Sequence, residues 1–224
     1  LNILQPLTSK TLNEENHQEV ASLYKKSSLN LLLISGLFFV LINTNINQLF
    51  SLLPQAYSGG VLVVLMISLL KLYNGFLGNN GAIINNSKFY RITLPISLTM
   101  AFLVYFLNKL FYYELDMGTN GLALATLLVI FSANTFKLFF VKRKFSITPF
   151  TNKSLLLLLI ITVLYLSFNF WEFPVANVYL WDFPMHPIIN MILKSVLIVV
   201  IYVFLILKLH ISPEFDNLLK KYYK

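Results

Sequence analysis

Six apolar stretches run along the sequence, near residues 29–46, 60–79, 92–112, 119–140, 154–170 and 188–208, and the segments between them alternate in charge. Lys71, Lys109, Lys137 and Lys194 lie inside the stretches. Every other Lys and Arg falls in 1–28, 80–91, 141–153 or the tail from Lys208. Loops 47–59, 113–118 and 171–187 carry none. Crossing about 30 Å of hydrocarbon takes roughly 20 helical residues, and a helix satisfies its own backbone hydrogen bonds in lipid. Short loops rich in Lys and Arg resist translocation and stay in the cytoplasm. The alternation therefore predicts an all-α integral membrane protein with six transmembrane helices and both ends of this chain cytoplasmic.

Composition points the same way. The chain is 57% hydrophobic and 12% charged, against roughly 25% charged in soluble domains. A membrane β-barrel needs alternating strands of about ten residues, and runs such as Leu155–Ile161 do not alternate. The net charge of +8 raises nucleic acid as a partner, but the cations sit at span ends, where they meet anionic headgroups instead. No nucleic-acid partner is expected. With no cysteine, the chain has neither disulfides nor thiolate metal sites. The start has no basic region leading into an apolar core, so no cleavable signal peptide is expected. Leu1-Asn-Ile-Leu-Gln-Pro-Leu7 reads as the end of another helix, so the expectation is a fragment whose N-terminal part is absent.

Residues 12–28 read as a cytoplasmic amphipathic segment, with Asn13 as a helix cap, Glu14 and Glu15 in the first turn and Lys25 and Lys26 in the last. It is expected to lie at the membrane interface and then turn into the first span. Loop 171–187 holds both tryptophans and is expected along the outer membrane surface, a re-entrant functional loop being the alternative. Gly121 and Ala125 stand one turn apart and form a small-residue face for close helix approach. Ser132, Asn134 and Thr135 follow in the same span, placed either to bond to a neighbouring helix or to line a cavity. Pro95 near the start of the third span is a candidate bend.

Enzyme signatures are missing: no phosphate-binding Gly-rich loop, no His-Glu-x-x-His and no Gly-x-Ser-x-Gly. His17, His186 and His210 are isolated, and all nine Asp and Glu fall outside the apolar stretches. That argues against carboxylate-held Mg²⁺ and removes the simplest proton relays. No catalytic residue, metal or cofactor is expected.

The cations within the spans are the candidate functional groups. Lys109 and Lys137 lie within a turn of a stretch end and can snorkel to water. Lys194 is about 9 Å inside the outer edge and Lys71 about 12 Å from the cytoplasmic end, by helical rise. A lysine at such depth costs about 2.5 kcal/mol or more unless it faces protein or water. Ser68, Lys71, Asn74, Gly75 and Gly78 share one helix face, opposite Leu69, Leu72, Tyr73 and Phe76. That stripe reads in two ways. It is either a helix-packing face whose lysine reaches the headgroups, or the wall of a water-filled cavity holding one positive charge for an anionic substrate.

Four phrases carry a family resemblance: Leu23-Tyr-Lys-Lys-Ser-Ser-Leu-Asn-Leu-Leu, Asn45-Ile-Asn-Gln-Leu-Phe-Ser-Leu-Leu-Pro54, Gly118-Thr-Asn-Gly-Leu-Ala-Leu-Ala-Thr126 and Lys137-Leu-Phe-Phe-Val-Lys-Arg-Lys-Phe. Together, in order and spacing over residues 1 to about 170, they resemble bacterial polysaccharide-biosynthesis membrane proteins. These are the oligosaccharide flippases related to O-antigen repeat-unit flippases and, more distantly, to the lipid II flippase and multidrug exporters. The resemblance implies a protein of about fourteen spans in two lobes around a central cavity, of which this chain is the C-terminal portion. Residues 1–28 would then be the end of a preceding span and a linker, and 29–150 four spans of the C-terminal lobe. Residues 151–210 would be the final two spans, and 211–224 a cytoplasmic tail. It also implies transport of a polyprenyl-pyrophosphate-linked oligosaccharide across the bacterial inner membrane. Implied partners are that substrate, membrane lipids, the N-terminal lobe, and the polymerase and glycosyltransferases of polysaccharide assembly. Candidate cavity-lining residues are Lys71, Ser68, Asn74, Gly75, Gly78, Asn134 and Lys194, with Lys194 bordering a groove between the last two spans. A small-molecule exporter of the same fold, or a scaffold or enzyme of envelope assembly, are the competing readings.

Overall fold

A computed structural model describes residues 4–14, 16–57, 59–173, 179–180, 183–184 and 186–212. Its helices are α1 (Leu4–Asn13), α2 (His17–Ser51), α3 (Gly60–Leu77), α4 (Asn80–Asn85), α5 (Thr93–Lys109), α6 (Gly118–Phe145), α7 (Asn152–Asn169) and α8 (His186–Lys208). Two short strands, β1 (Tyr179–Leu180) and β2 (Phe183–Pro184), pair antiparallel between α7 and α8. Helices α2, α3, α6, α7 and α8, together with α5 and its flanking turns over Tyr90–Glu114, are long and apolar enough to cross a membrane. Apart from this strand pair the regular structure of the described residues is helical, that of a multi-pass membrane protein, and these six helices match the six apolar stretches one for one.

The expected turn near residue 28 is absent. Helix α2 runs unbroken for 35 residues from His17, about 52 Å by helical rise and longer than the hydrocarbon thickness. Its cap is Asn16 rather than Asn13. The Asn16 side chain accepts from the Glu19 amide at 3.1 Å, while Asn13 is the last residue of α1. The helix continues because the side expected to lie on the interface is packed: Val20 and Tyr24 are buried with Ile83 and Ile84 of α4 and Val141 of α6. Glu19 therefore belongs to a membrane-crossing helix, in its first turn.

Helix α2 is also the hub of the bundle, with α3, α7 and α8 packed against it. Leu32, Phe39 and Val40 of α2 meet Leu157, Ile161 and Leu164 of α7 and Ile198, Tyr202 and Ile206 of α8 in one buried cluster. Gly36 allows the close approach, because a Cβ there would collide with the Ile161 side chain. The Tyr202 hydroxyl donates to the Leu33 carbonyl at 2.7 Å, which ties α8 to α2 within the apolar core.

Helix α6 packs on α3 and α5. Gly121 and Ala125 are buried as the small-residue face predicts, and Gly121 seats the Phe111 backbone and Cβ. Phe111 belongs to a π-helical turn, Leu110–Glu114, that ends α5. Pro95 falls in the first turn of α5, where its missing N–H has no helical partner to lose. Helix α5 has no buried residue, and α7 starts on a capping box between Thr151 and Ser154. Trp171 contacts the rings of Phe168 and Phe173. Trp181, the other tryptophan of that loop, lies outside the described residues.

Candidate functional site

The face of α3 singled out from its sequence turns toward α2. There the two helices flank an open groove of about 690 Å³. Ser68, Lys71, Asn74, Gly75 and Gly78 all line it, opposite Leu31, Ile34, Ser35, Phe38 and Ile42 of α2. Five of the seven candidate residues thus share one cavity.

They do so in two different capacities. Gly75 and Gly78 are contact points between helices. A Cβ on Gly75 would run into the Ser35 hydroxyl and come within 2.9 Å of the Leu31 carbonyl oxygen. Gly78, at φ +64°, would bring one within 2.9 Å of the Ser28 backbone. Ser28 in turn donates from its hydroxyl to the Phe76 carbonyl at 2.5 Å. Ser68 closes the other end of the crossing, accepting from Asn43 Nδ2 at 2.8 Å. Packing and cavity wall, the two readings of the stripe, therefore coexist on one face: the small residues pack, and Lys71 is exposed to the groove between them.

Asn74 stands one turn from Lys71 and accepts from Asn134 Nδ2 of α6 at 2.7 Å. Asn80 Nδ2 lies 3.5 Å from the Asn134 carbonyl, and the Tyr73 and Thr135 hydroxyls meet at 2.6 Å. Of the polar trio on α6, Asn134 and Thr135 bond across to α3. Ser132 faces a separate groove between α5 and α6. The Asn74 amide is thereby held by a neighbour, which fixes one edge of the groove beside the exposed lysine.

The groove is graded along its length. Val64 and Ile67 of α3 and Phe38 and Ile42 of α2 make its apolar end. Ser35, Lys71 and Asn74 gather at the other end with Leu31 and Ile34, toward the C-terminus of α3. An ammonium in a cleft with low-dielectric walls attracts anions far more strongly than one in bulk water. No Asp or Glu occurs between Glu19 and Glu114, so neither helix places an acidic residue along the walls of the groove. The arrangement can hold a molecule with an anionic group beside an apolar chain.

Lys194 is elsewhere. Helices α7 and α8 pack chiefly on α2 rather than on each other, and Lys194 is 1% exposed. It donates to the Thr44 carbonyl at 3.1 Å, and the Glu172 carboxylate acts on it electrostatically. Around it, Asn45 donates to Ser195 at 3.1 Å, Gln48 to Glu172 at 2.6 Å, and the Phe173 amide to Asn190 at 3.3 Å. This polar knot joins the ends of α2, α7 and α8 away from the Lys71 groove. Sequence reasoning missed its α2 half. The signal was present, since Asn43, Thr44, Asn45 and Gln48 interrupt an otherwise apolar run.

Among the described residues no group of three or more His, Asp or Glu side chains could hold a metal ion. No family model matches the chain, and neither a curated protein nor a solved structure matches it significantly.

Proposed function

We propose that this chain is the C-terminal part of a flippase that carries a polyprenyl-pyrophosphate-linked oligosaccharide across the bacterial inner membrane. In this reading the basic helix ends and both ends of the chain face the cytoplasm. A second lobe completes an alternating-access cavity. The observation that supports it is the α2–α3 groove. Lys71 faces that groove beside Asn74, with an apolar channel leading away from it. A pyrophosphate needs cations where water is scarce, and a polyprenyl chain needs an apolar track. Transport requires binding that is reversible and chemistry that is absent, so one flexible ammonium suits the task better than a rigid chelating cage.

The test uses the full-length protein in a strain lacking its own flippase. Lys71→Ala and Lys71→Gln should cut surface polysaccharide strongly while membrane levels stay near normal. Lys71→Arg should retain partial function, because charge survives while geometry changes. Lys137→Ala, on α6 and outside the groove, should be nearly silent. Full activity of Lys71→Gln would place Lys71 among packing or snorkelling residues and remove the support this groove gives to the flippase reading.

A further inference from the structure

A second groove, of about 370 Å³, lies between α5 and α6. It runs from Ile92, just before α5, to Leu103 on α5 and from Val129 to Phe136 on α6, and its lining is apolar apart from Thr99 and Ser132. The α5 side spans about 16 Å by helical rise, half of a hydrocarbon core about 30 Å thick. The groove is therefore one leaflet deep. Helix α5 buries none of its residues, so this side of the bundle is open to hydrocarbon.

Cations gather at the end of the groove where Ile92 stands. Arg91 precedes Ile92, and its guanidinium lies over the Tyr90 ring at 5.9 Å. The ammoniums of Lys88 and Lys144 both approach the Phe89 ring, at 5.5 and 5.4 Å. The groove and this cluster are physically continuous: Phe136 of the groove stacks on Phe140, and Phe140 meets Phe89 edge-on. Lys142 and Arg143 add two more exposed charges. Acidic residues are absent from the whole of 20–113 and 117–171, and the described residues show no ion pair for any of these five cations. Lys88, Arg91 and Lys144 each turn one side to an aromatic ring, and their exposure leaves the outward side for an anion.

We propose that this is a specific binding site for an anionic phospholipid, with its phosphate held by Lys88, Arg91 and Lys144 and one acyl chain in the α5–α6 groove. Two features select this occupant: the cluster forms no ion pair among the described residues, and the slot behind it matches one leaflet in depth. The site is separate from the Lys71 groove and does not depend on the flippase reading.

The full-length protein in detergent is titrated with dioleoylphosphatidylglycerol and, separately, dioleoylphosphatidylcholine, with bound lipid read by native mass spectrometry. Phosphatidylglycerol should bind in preference. Lys88→Gln/Lys144→Gln should weaken it about 25-fold, at about fivefold for each cation near a membrane surface. Ser132→Trp, which fills the groove from an exposed position without changing charge, should weaken it as well, with helical content by circular dichroism unchanged. Lys25→Gln/Lys26→Gln, which removes two exposed cations on α2, should leave it within about twofold, since charge away from the slot contributes only long-range attraction. Equal binding of the two lipids would overturn the proposal and leave the groove to bulk lipid or to another helix. An equal loss from Lys25→Gln/Lys26→Gln would show diffuse attraction in place of a site. Retention of full affinity by Ser132→Trp would remove the acyl slot, and equal occupancy by inorganic phosphate would do the same.

Discussion

Gly75→Ala tests the geometry on which the Lys71 groove rests. The added Cβ comes within 3.0 Å of the Ser35 Cβ and also meets two oxygen atoms of α2. One is the Ser35 hydroxyl, the end of a side chain whose own bond to the Leu32 carbonyl is long, at 3.4 Å; it can rotate away. The other is the Leu31 carbonyl oxygen at 2.9 Å, which belongs to a helix backbone and cannot. To restore ordinary contact, α3 must retreat from α2 by a few tenths of an ångström. Inserting one methyl where neighbours cannot relax costs about 1–3 kcal/mol, and the backbone clash puts this site near the middle of that range. Removing the movable clash in Gly75→Ala/Ser35→Ala should recover part of the loss but not all of it. Reversible unfolding in mixed micelles, followed by circular dichroism, gives the free energies. Gly81→Ala is the control: a Cβ there meets nothing within 4 Å, so it should leave stability unchanged or raise it by up to about 1 kcal/mol through helix propensity. If Gly75→Ala is as neutral as Gly81→Ala, the two helices do not cross as closely as described, and the groove beside Lys71 loses its wall.

The buried Lys194 makes a prediction of the opposite sign. An ammonium buried without an ion pair carries a large desolvation cost, and among the described residues Lys194 has none, so Lys194→Met should not lower unfolding free energy by more than about 1 kcal/mol in the same assay. A loss above about 3 kcal/mol would show that the ammonium holds the α2–α7–α8 junction together. Sidedness is checked with single cysteines in intact spheroplasts. Asp116→Cys should react with an impermeant thiol reagent and Ser146→Cys should not, and the reverse pattern would invert the topology.

The spans were legible because each depends on a local quantity, namely enough consecutive apolar residues to cross hydrocarbon. The Lys71 face was legible for a similar reason: helical periodicity alone puts Ser68, Lys71, Asn74, Gly75 and Gly78 on one side of α3. What those residues face was not. The division between packing glycines and an open lysine depends on Ser28, Leu31 and Ser35, some forty residues earlier in the chain. The continuity of α2 was hidden because residues 17–28 are polar enough to read as an interfacial segment. Their apolar members Val20 and Tyr24 are buried only because α4 and α6 return to cover them. The placement of Lys194 depended on partner choice. Adjacent spans α7 and α8 were expected to flank a groove, but Gly36 and the core around Leu32 and Val40 draw both onto α2. The polar knot around Lys194 follows from that choice and could not be read from any one segment.

The central claim is that Lys71 supplies positive charge to an anionic, lipid-linked substrate during transport. The most direct measurement reconstitutes the full-length protein in liposomes. It follows the appearance of a labelled polyprenyl-pyrophosphate oligosaccharide in the opposite leaflet, accessible to an enzyme that cannot cross the bilayer. Parent and Lys71→Arg proteins should move the lipid, the latter more slowly, while Lys71→Gln should fall to at most about a tenth of the parent rate, the loss of roughly 1.4 kcal/mol expected of one charge-assisted contact. Equal rates for Lys71→Gln and the parent would contradict the account.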